Sequence, residues 1–68
     1  MAIRFYKLMD YIARRGIKKT ELAARAGLSF STLAKLGKNE PVNLSIIDRI
    51  CEALGCQPGD IMEYTPDD

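Results

Sequence analysis

The residues best suited to chemistry in this 68-residue chain are two thiols, Cys51 and Cys56, and it has no histidine. A structural zinc needs four ligands, and two thiols without an imidazole cannot supply them. No histidine is available as a general base. Neither cysteine has a neighbour in sequence that would activate it, and Cys51 falls on an apolar helical stripe, where it reads as inert packing. One disulfide is conceivable, but nothing else points to an oxidising compartment; reduced, partly buried thiols in a cytoplasmic protein are the simpler reading. Asp48 and Glu52 stand one helical turn apart, which describes an ordinary solvated face or an ion-pair surface with Arg49. A glycine-rich phosphate loop is absent. The inventory therefore excludes an enzyme, and neither a metal nor a cofactor is expected.

The remaining chemistry is electrostatic. The net charge of +1 conceals a division. Residues 1–38 carry nine of the ten basic side chains against Asp10 and Glu21, a balance of +7. Residues 39–68 set Arg49 against Glu40, Asp48, Glu52, Asp60, Glu63, Asp67 and Asp68, a balance of −6. Such asymmetry suggests one side that faces a polyanion.

These charges need a scaffold, and length limits it to one domain over residues 1–68, burying roughly 60% of the surface its unfolded chain exposes. Apolar residues make up 47% and charged ones 28%, the proportions of an ordinary globular domain. No apolar stretch approaches the ~18 residues of a membrane span, and Arg4, Lys7 and Asp10 argue against a secretory leader.

The elements follow from periodicity and stop signals. Phe5, Leu8, Met9 and Ile12 form the apolar stripe of a first helix, about Arg4 to Arg15, ended by Gly16. A second helix covers Lys19 to Ala26, with Leu22, Ala23 and Ala26 inward and Gly27 as its stop. Lys18 stands at its cap position, a loss of ~1 kcal/mol against Ser, Thr or Asp. Ser29 caps a third helix through about Leu36, with Leu33 and Leu36 inward. Residues 37–42 read as a loop. Asn43 can cap a fourth helix, Leu44 to Leu54, whose inward stripe is Leu44, Ile47, Ile50, Cys51 and Leu54, with Gly55 as its stop. Pro58 to Met62 forms a short turn. Ile3 either begins an edge strand or simply precedes the first helix; Tyr64 and Thr65 could pair with that segment as a two-stranded ribbon.

Two short helices joined by a glycine-containing turn make a helix-turn-helix, here residues 19–36. Ala23 is small where the helices cross, and Gly27 can take the positive φ that reverses the chain. Leu22, Ala26, Leu28, Leu33 and Leu36 supply the apolar contacts.

With these residues in place, the chain resembles the Cro/C1-type helix-turn-helix family of transcriptional regulators over about residues 4–62. The Ala23-x3-Gly27 pair, the apolar spacing and the segment ICEALGCQPGDIM (50–62) carry the resemblance. Lys19 replaces the glutamine common at the start of the second helix, and Lys18 replaces the usual capping hydroxyl. The resemblance implies an all-α, lambda-repressor-like domain of four to five helices. It also implies that the third helix lies in the DNA major groove, its first residues toward base edges. On this sequence those residues are Phe30, Ser31, Thr32 and Lys35. Lys35 can donate to guanine, Ser31 and Thr32 can donate or accept, and the Phe30 ring can meet a thymine methyl. Equally, Phe30 could cover the second helix and Thr32 could serve only the first turn. Phosphate contacts would fall to Lys18 and Lys19 before the second helix, Lys38 and Asn39 after the third, and Asn43 opening the fourth. Arg14, Arg15 and Arg25 read as general field.

The implied function is a cytoplasmic, sequence-specific regulator that binds double-stranded operator or promoter DNA. A homodimer is expected, because one small domain makes few contacts; Ile3, Ile61 and Tyr64 are candidates for its surface. Neither a membrane nor a small-molecule effector is expected as partner. The alternative is a protein-interaction module on the same fold, antitoxin-like or anti-activator, which would sooner show an apolar patch around Phe30 than a ring of lysines.

Overall fold

The computed structural model describes residues 2–66. They form β1 (Ile3–Arg4), α1 (Tyr6–Arg14), α2 (Lys19–Ala26), α3 (Phe30–Gly37), α4 (Leu44–Leu54), a 3-10 turn (Pro58–Asp60) and β2 (Glu63–Tyr64). This is the expected all-α domain with a terminal ribbon. In the ribbon β1 and β2 pair antiparallel, Ile3 opposite Tyr64 and Arg4 opposite Glu63. The Thr65 N–H donates to the Ala2 carbonyl at 2.9 Å and extends it.

The inward stripes converge on one core. Phe5, Leu8 and Ile12 from the α1 segment meet Leu22 and Ala26 of α2, Leu36 of α3, Ile47 and Ile50 of α4, and Ile61. Leu8, Leu22, Ile50 and Ile61 have no exposed surface. Burying each such side chain contributes ~1.5–3 kcal/mol, so loss of any one is felt throughout a domain this small. Ile61 therefore belongs to the core and is withdrawn as a candidate for contact with a second copy. Tyr64, at 69% exposure, keeps its place on the surface.

Leu44 departs from its expected inward position and is 78% exposed. Its angle on the helix is right, but it is the first residue of α4 and overshoots the end of the core. It borders a shallow apolar groove of about 170 Å³ with Ile3, Phe5, Pro41, Val42, Ile47 and Met62.

The helix ends are closed by a repeated device. Gly16, Gly27 and Gly55 take φ of 67°, 67° and 64°. After α3 the same role falls to Asn39, at φ 58°, and Gly37 is helical instead of stopping the helix. Asparagine tolerates this left-handed region better than other residues with a Cβ. Its side chain is used as well: the Phe5 N–H donates to Asn39 Oδ1 at 2.7 Å, tying the α3–α4 loop to the entry of α1.

Candidate nucleic-acid interface

The α2–turn–α3 unit is built by local hydrogen bonds. The Leu28 N–H reaches back to the Ala23 carbonyl at 2.8 Å, and Gly27 supplies the left-handed step. A Cβ at Gly27 would meet nothing within 4 Å, so backbone conformation, and not crowding, demands glycine there. Ser29 then caps α3 as expected. The Thr32 N–H donates to Ser29 Oγ at 3.1 Å, and the Ser29 hydroxyl donates to Thr32 Oγ1 at 3.1 Å. Such a cap is worth ~1 kcal/mol and fixes the first turn, which holds Phe30 and Ser31.

The outer face of α3 presents the side chains singled out from sequence. Phe30 is 78% exposed and does not cover α2. Ser31 and Lys35 are exposed, whereas Thr32 is half-buried and its hydroxyl is engaged by Ser29. Thr32 and Lys35 line a cleft of about 230 Å³ with Pro41, Val42, Asn43 and Ile46. The cleft thus joins the middle of α3 to the start of α4.

Asn43 occupies the cap position of α4 with extended backbone (φ −68°, ψ 149°), but its side chain makes no capping hydrogen bond. The expected cap is therefore backbone only, and the amide side chain lies at the positive end of the α4 dipole without a hydrogen bond among the described residues. Lys18 caps α2 in the same bare fashion. Asn39, half-buried, has its amide oxygen committed to the Phe5 N–H, which leaves its NH2 as the group able to meet a ligand.

Eight of the ten basic residues fall into two classes; apart from them stand Arg4, in β1, and Arg49, exposed on α4 with no carboxylate within ion-pair distance among the described residues. Arg14 pairs with Asp10 one turn earlier at 2.7 Å, and Arg25 pairs with Glu21 in the same way. Arg15 stacks over the Tyr11 ring, its guanidinium carbon 3.6 Å from the centroid. Lys7 donates to the Gly59 carbonyl at 3.2 Å. By contrast, Lys18, Lys19, Lys35 and Lys38 have no carboxylate within ion-pair distance among the described residues, and all four are exposed. Two stand at the start of α2, one on α3 itself and one in the turn after it. Unneutralised ammonium groups of this kind bind a polyanion and release its counterions.

Sequence reasoning missed two features here. The exposed Leu44 could not be seen, because periodicity gives a face and not where the core ends. The fold-holding role of Asn39 had a faint signal: an asparagine two residues past a helix, before Glu-Pro, is an alternative to glycine as the left-handed residue.

Comparison with known proteins places this geometry. The family model for the Cro/C1-type helix-turn-helix DNA-binding domain matches residues 7–67. An uncharacterised HTH-type transcriptional regulator of Bacillus subtilis (strain 168), YozG, is 44% identical over 59 residues, covering 84% of this chain and 70% of that protein. The crystal structure of the transcriptional regulator VanUg (form II) superposes with a TM-score of 0.91 at 45% identity, over 97% of this chain and 88% of that one.

Proposed function

The chain belongs to the Cro/C1-type helix-turn-helix DNA-binding domain family, and from that premise we propose that it is a sequence-specific regulator acting on double-stranded operator or promoter DNA. In this reading α3 enters the major groove. Phe30, Ser31 and Lys35 meet base edges, with Thr32 contributing mainly through the cap it shares with Ser29. Lys18, Lys19, Lys38 and Asn43 hold phosphates on either side, and Asn39 positions the loop that carries Lys38. The observation that carries the reading is the set of four exposed lysines at the start of α2, on α3 and in the turn after it, without carboxylate partners among the described residues, together with an α4 start whose cap side chain is unused.

The protein acts in the cytoplasm, as a homodimer and without catalysis. Symmetric pairing doubles the contacts, which one domain with so few phosphate partners needs for affinity at physiological salt. No helix among the described residues is long and apolar enough to cross a membrane.

Selection from a random duplex pool at physiological salt tests the proposal. Enrichment of an inverted repeat is expected. Retention without enrichment, vanishing as salt rises, would reduce α3 to a merely basic face. Phe30 favours a second reading: an aromatic ring 78% exposed on a recognition helix also suits a protein partner. That reading gains if no duplex is enriched.

A further inference from the structure

Each helix ends with a left-handed residue and an N–H that donates back five positions. The pairs are Ile17 to Ile12 (2.8 Å), Leu28 to Ala23 (2.8 Å), Glu40 to Lys35 (2.8 Å) and Cys56 to Cys51 (3.1 Å). This closure sets the two bonded residues' side chains against each other, ordinarily as a small hydrophobic contact. At the end of α1 the pair is two isoleucines of the core region. At the end of α4 it is two thiols, both free and both half-buried.

We propose that Cys51 and Cys56 are a dithiol site, which a small-molecule disulfide oxidises to an intrachain disulfide and a thiol reductant reopens. A disulfide cannot bridge Cα atoms more than ~7 Å apart, and the N–H···O bond between these two residues keeps their backbones together on the correct side of that limit. The sulfurs also interact. Burial first, then the neighbouring Cys51 sulfur and a hydrogen bond to it, push the Cys56 thiol up to about 11, with Asp60 adding to the rise and Arg15 opposing it. At neutral pH Cys56 therefore keeps its proton.

The chemistry balances without any other reagent. The thiolate of one cysteine attacks one sulfur of the small disulfide, its S–S bond breaks, and one small thiol leaves with a proton. The other cysteine then gives up its proton and attacks the cysteine sulfur of the mixed disulfide, expelling the second small thiol. Two electrons pass from the protein to the small disulfide, and both thiol protons end on the released thiols. The site lies at the opposite end of α4 from Asn43, roughly 15 Å away along an eleven-residue helix. It does not depend on the DNA-binding proposal.

The test uses the full chain with oxidised glutathione, read by intact mass without reductant. Wild type is expected to lose two hydrogens, stay monomeric in covalent terms and return to its starting mass with dithiothreitol. Cys56→Ser should stop at a glutathione adduct on Cys51, and Cys51→Ser at one on Cys56. Accumulation of a stable glutathione adduct on the wild type, or of disulfide-linked pairs of chains, would overturn the proposal. A second probe needs no variant. Phenylarsine oxide, which bridges two adjacent thiols, should bind the native protein one to one and protect both cysteines from maleimide. Failure to protect both would equally overturn it.

Discussion

The two ends of α4 differ in what their polar groups are doing. Around its C-terminus the donors are matched. The Tyr11 hydroxyl donates to the Leu54 carbonyl (3.4 Å), the Lys7 ammonium to the Gly59 carbonyl (3.2 Å), and the Gln57 N–H to the Asp60 carboxylate (3.0 Å). Around its N-terminus they are not: Asn43 has no side-chain capping bond, and Lys35 across the cleft has no carboxylate partner among the described residues. Matched groups hold the domain together, and the unmatched ones at the start of α4 are those the proposed function assigns to DNA. Total charge misses this distinction, because Arg14 and Arg25 are as basic as Lys35 and Lys38 yet are neutralised within their own helices.

The comparison can be broken most forcefully through what the two ends share. Ile50 has no exposed surface and lies in the common core. Ile50→Ala should cost ~2–5 kcal/mol, a large part of the stability of so small a domain. Denaturant unfolding followed at both ends should show one transition. Two separate transitions would mean that the ends are independent.

A sharper cut separates them. Lys35→Ala combined with Ser31→Ala should reduce discrimination between a selected and a scrambled duplex by ~1–3 kcal/mol for each of the two side chains that reads a base. The same pair should leave stability within ~0.5 kcal/mol, since both side chains are exposed. Full selectivity in the double variant would remove these residues from the reading face.

Asn39 lies between the two classes, since it borders the lysines but is committed to the fold. Asn39→Ala should cost ~1–2 kcal/mol through the left-handed backbone alone, and Asn39→Gly less, because glycine accepts that conformation and gives up only the bond to Phe5. A thermal melt of the two variants checks the order. The smallest effects should come from single surface charges. Lys18→Ala and Lys38→Ala should each lower the slope of log affinity against log salt by about 1. Arg25→Ala should lower stability by only ~0.3–0.5 kcal/mol, its ion pair with Glu21 being half exposed.

Much of this architecture was legible in the sequence. α2 and α4 begin and end where the apolar spacing and the glycines Gly27 and Gly55 put them. The Ser29 cap was equally readable, because it rests on a local rule. The terminal ribbon joins Ile3 to Tyr64 and Arg4 to Glu63 across the whole chain; it was only one of two open readings of Ile3, and its second strand is Glu63–Tyr64 where Tyr64 and Thr65 were expected. α1 is shorter than expected, Tyr6–Arg14, because Ile3 and Arg4 are taken up by the ribbon and Phe5 becomes the cap residue. The final turn is likewise shorter, Pro58–Asp60. What escaped depends on three dimensions: that Leu44 lies beyond the core, that Ile61 lies inside it, and that Asn39 reaches Phe5 across 34 positions. For the interface, the sequence supplies the lysines and their sign. Which cations remain unpaired is set by neighbours one helical turn away and by packing.

The proposed duplex-binding surface is the unmatched end of α4 together with α3 and the start of α2. Amide chemical shifts recorded while the protein is titrated with a selected duplex test it most directly. The largest changes are expected at residues 18–21, 30–39 and 43–46, with residues 51–60 nearly unmoved. Changes concentrated instead on the β1–β2 ribbon and the Leu44 groove, or on the C-terminal end of α4, would contradict it.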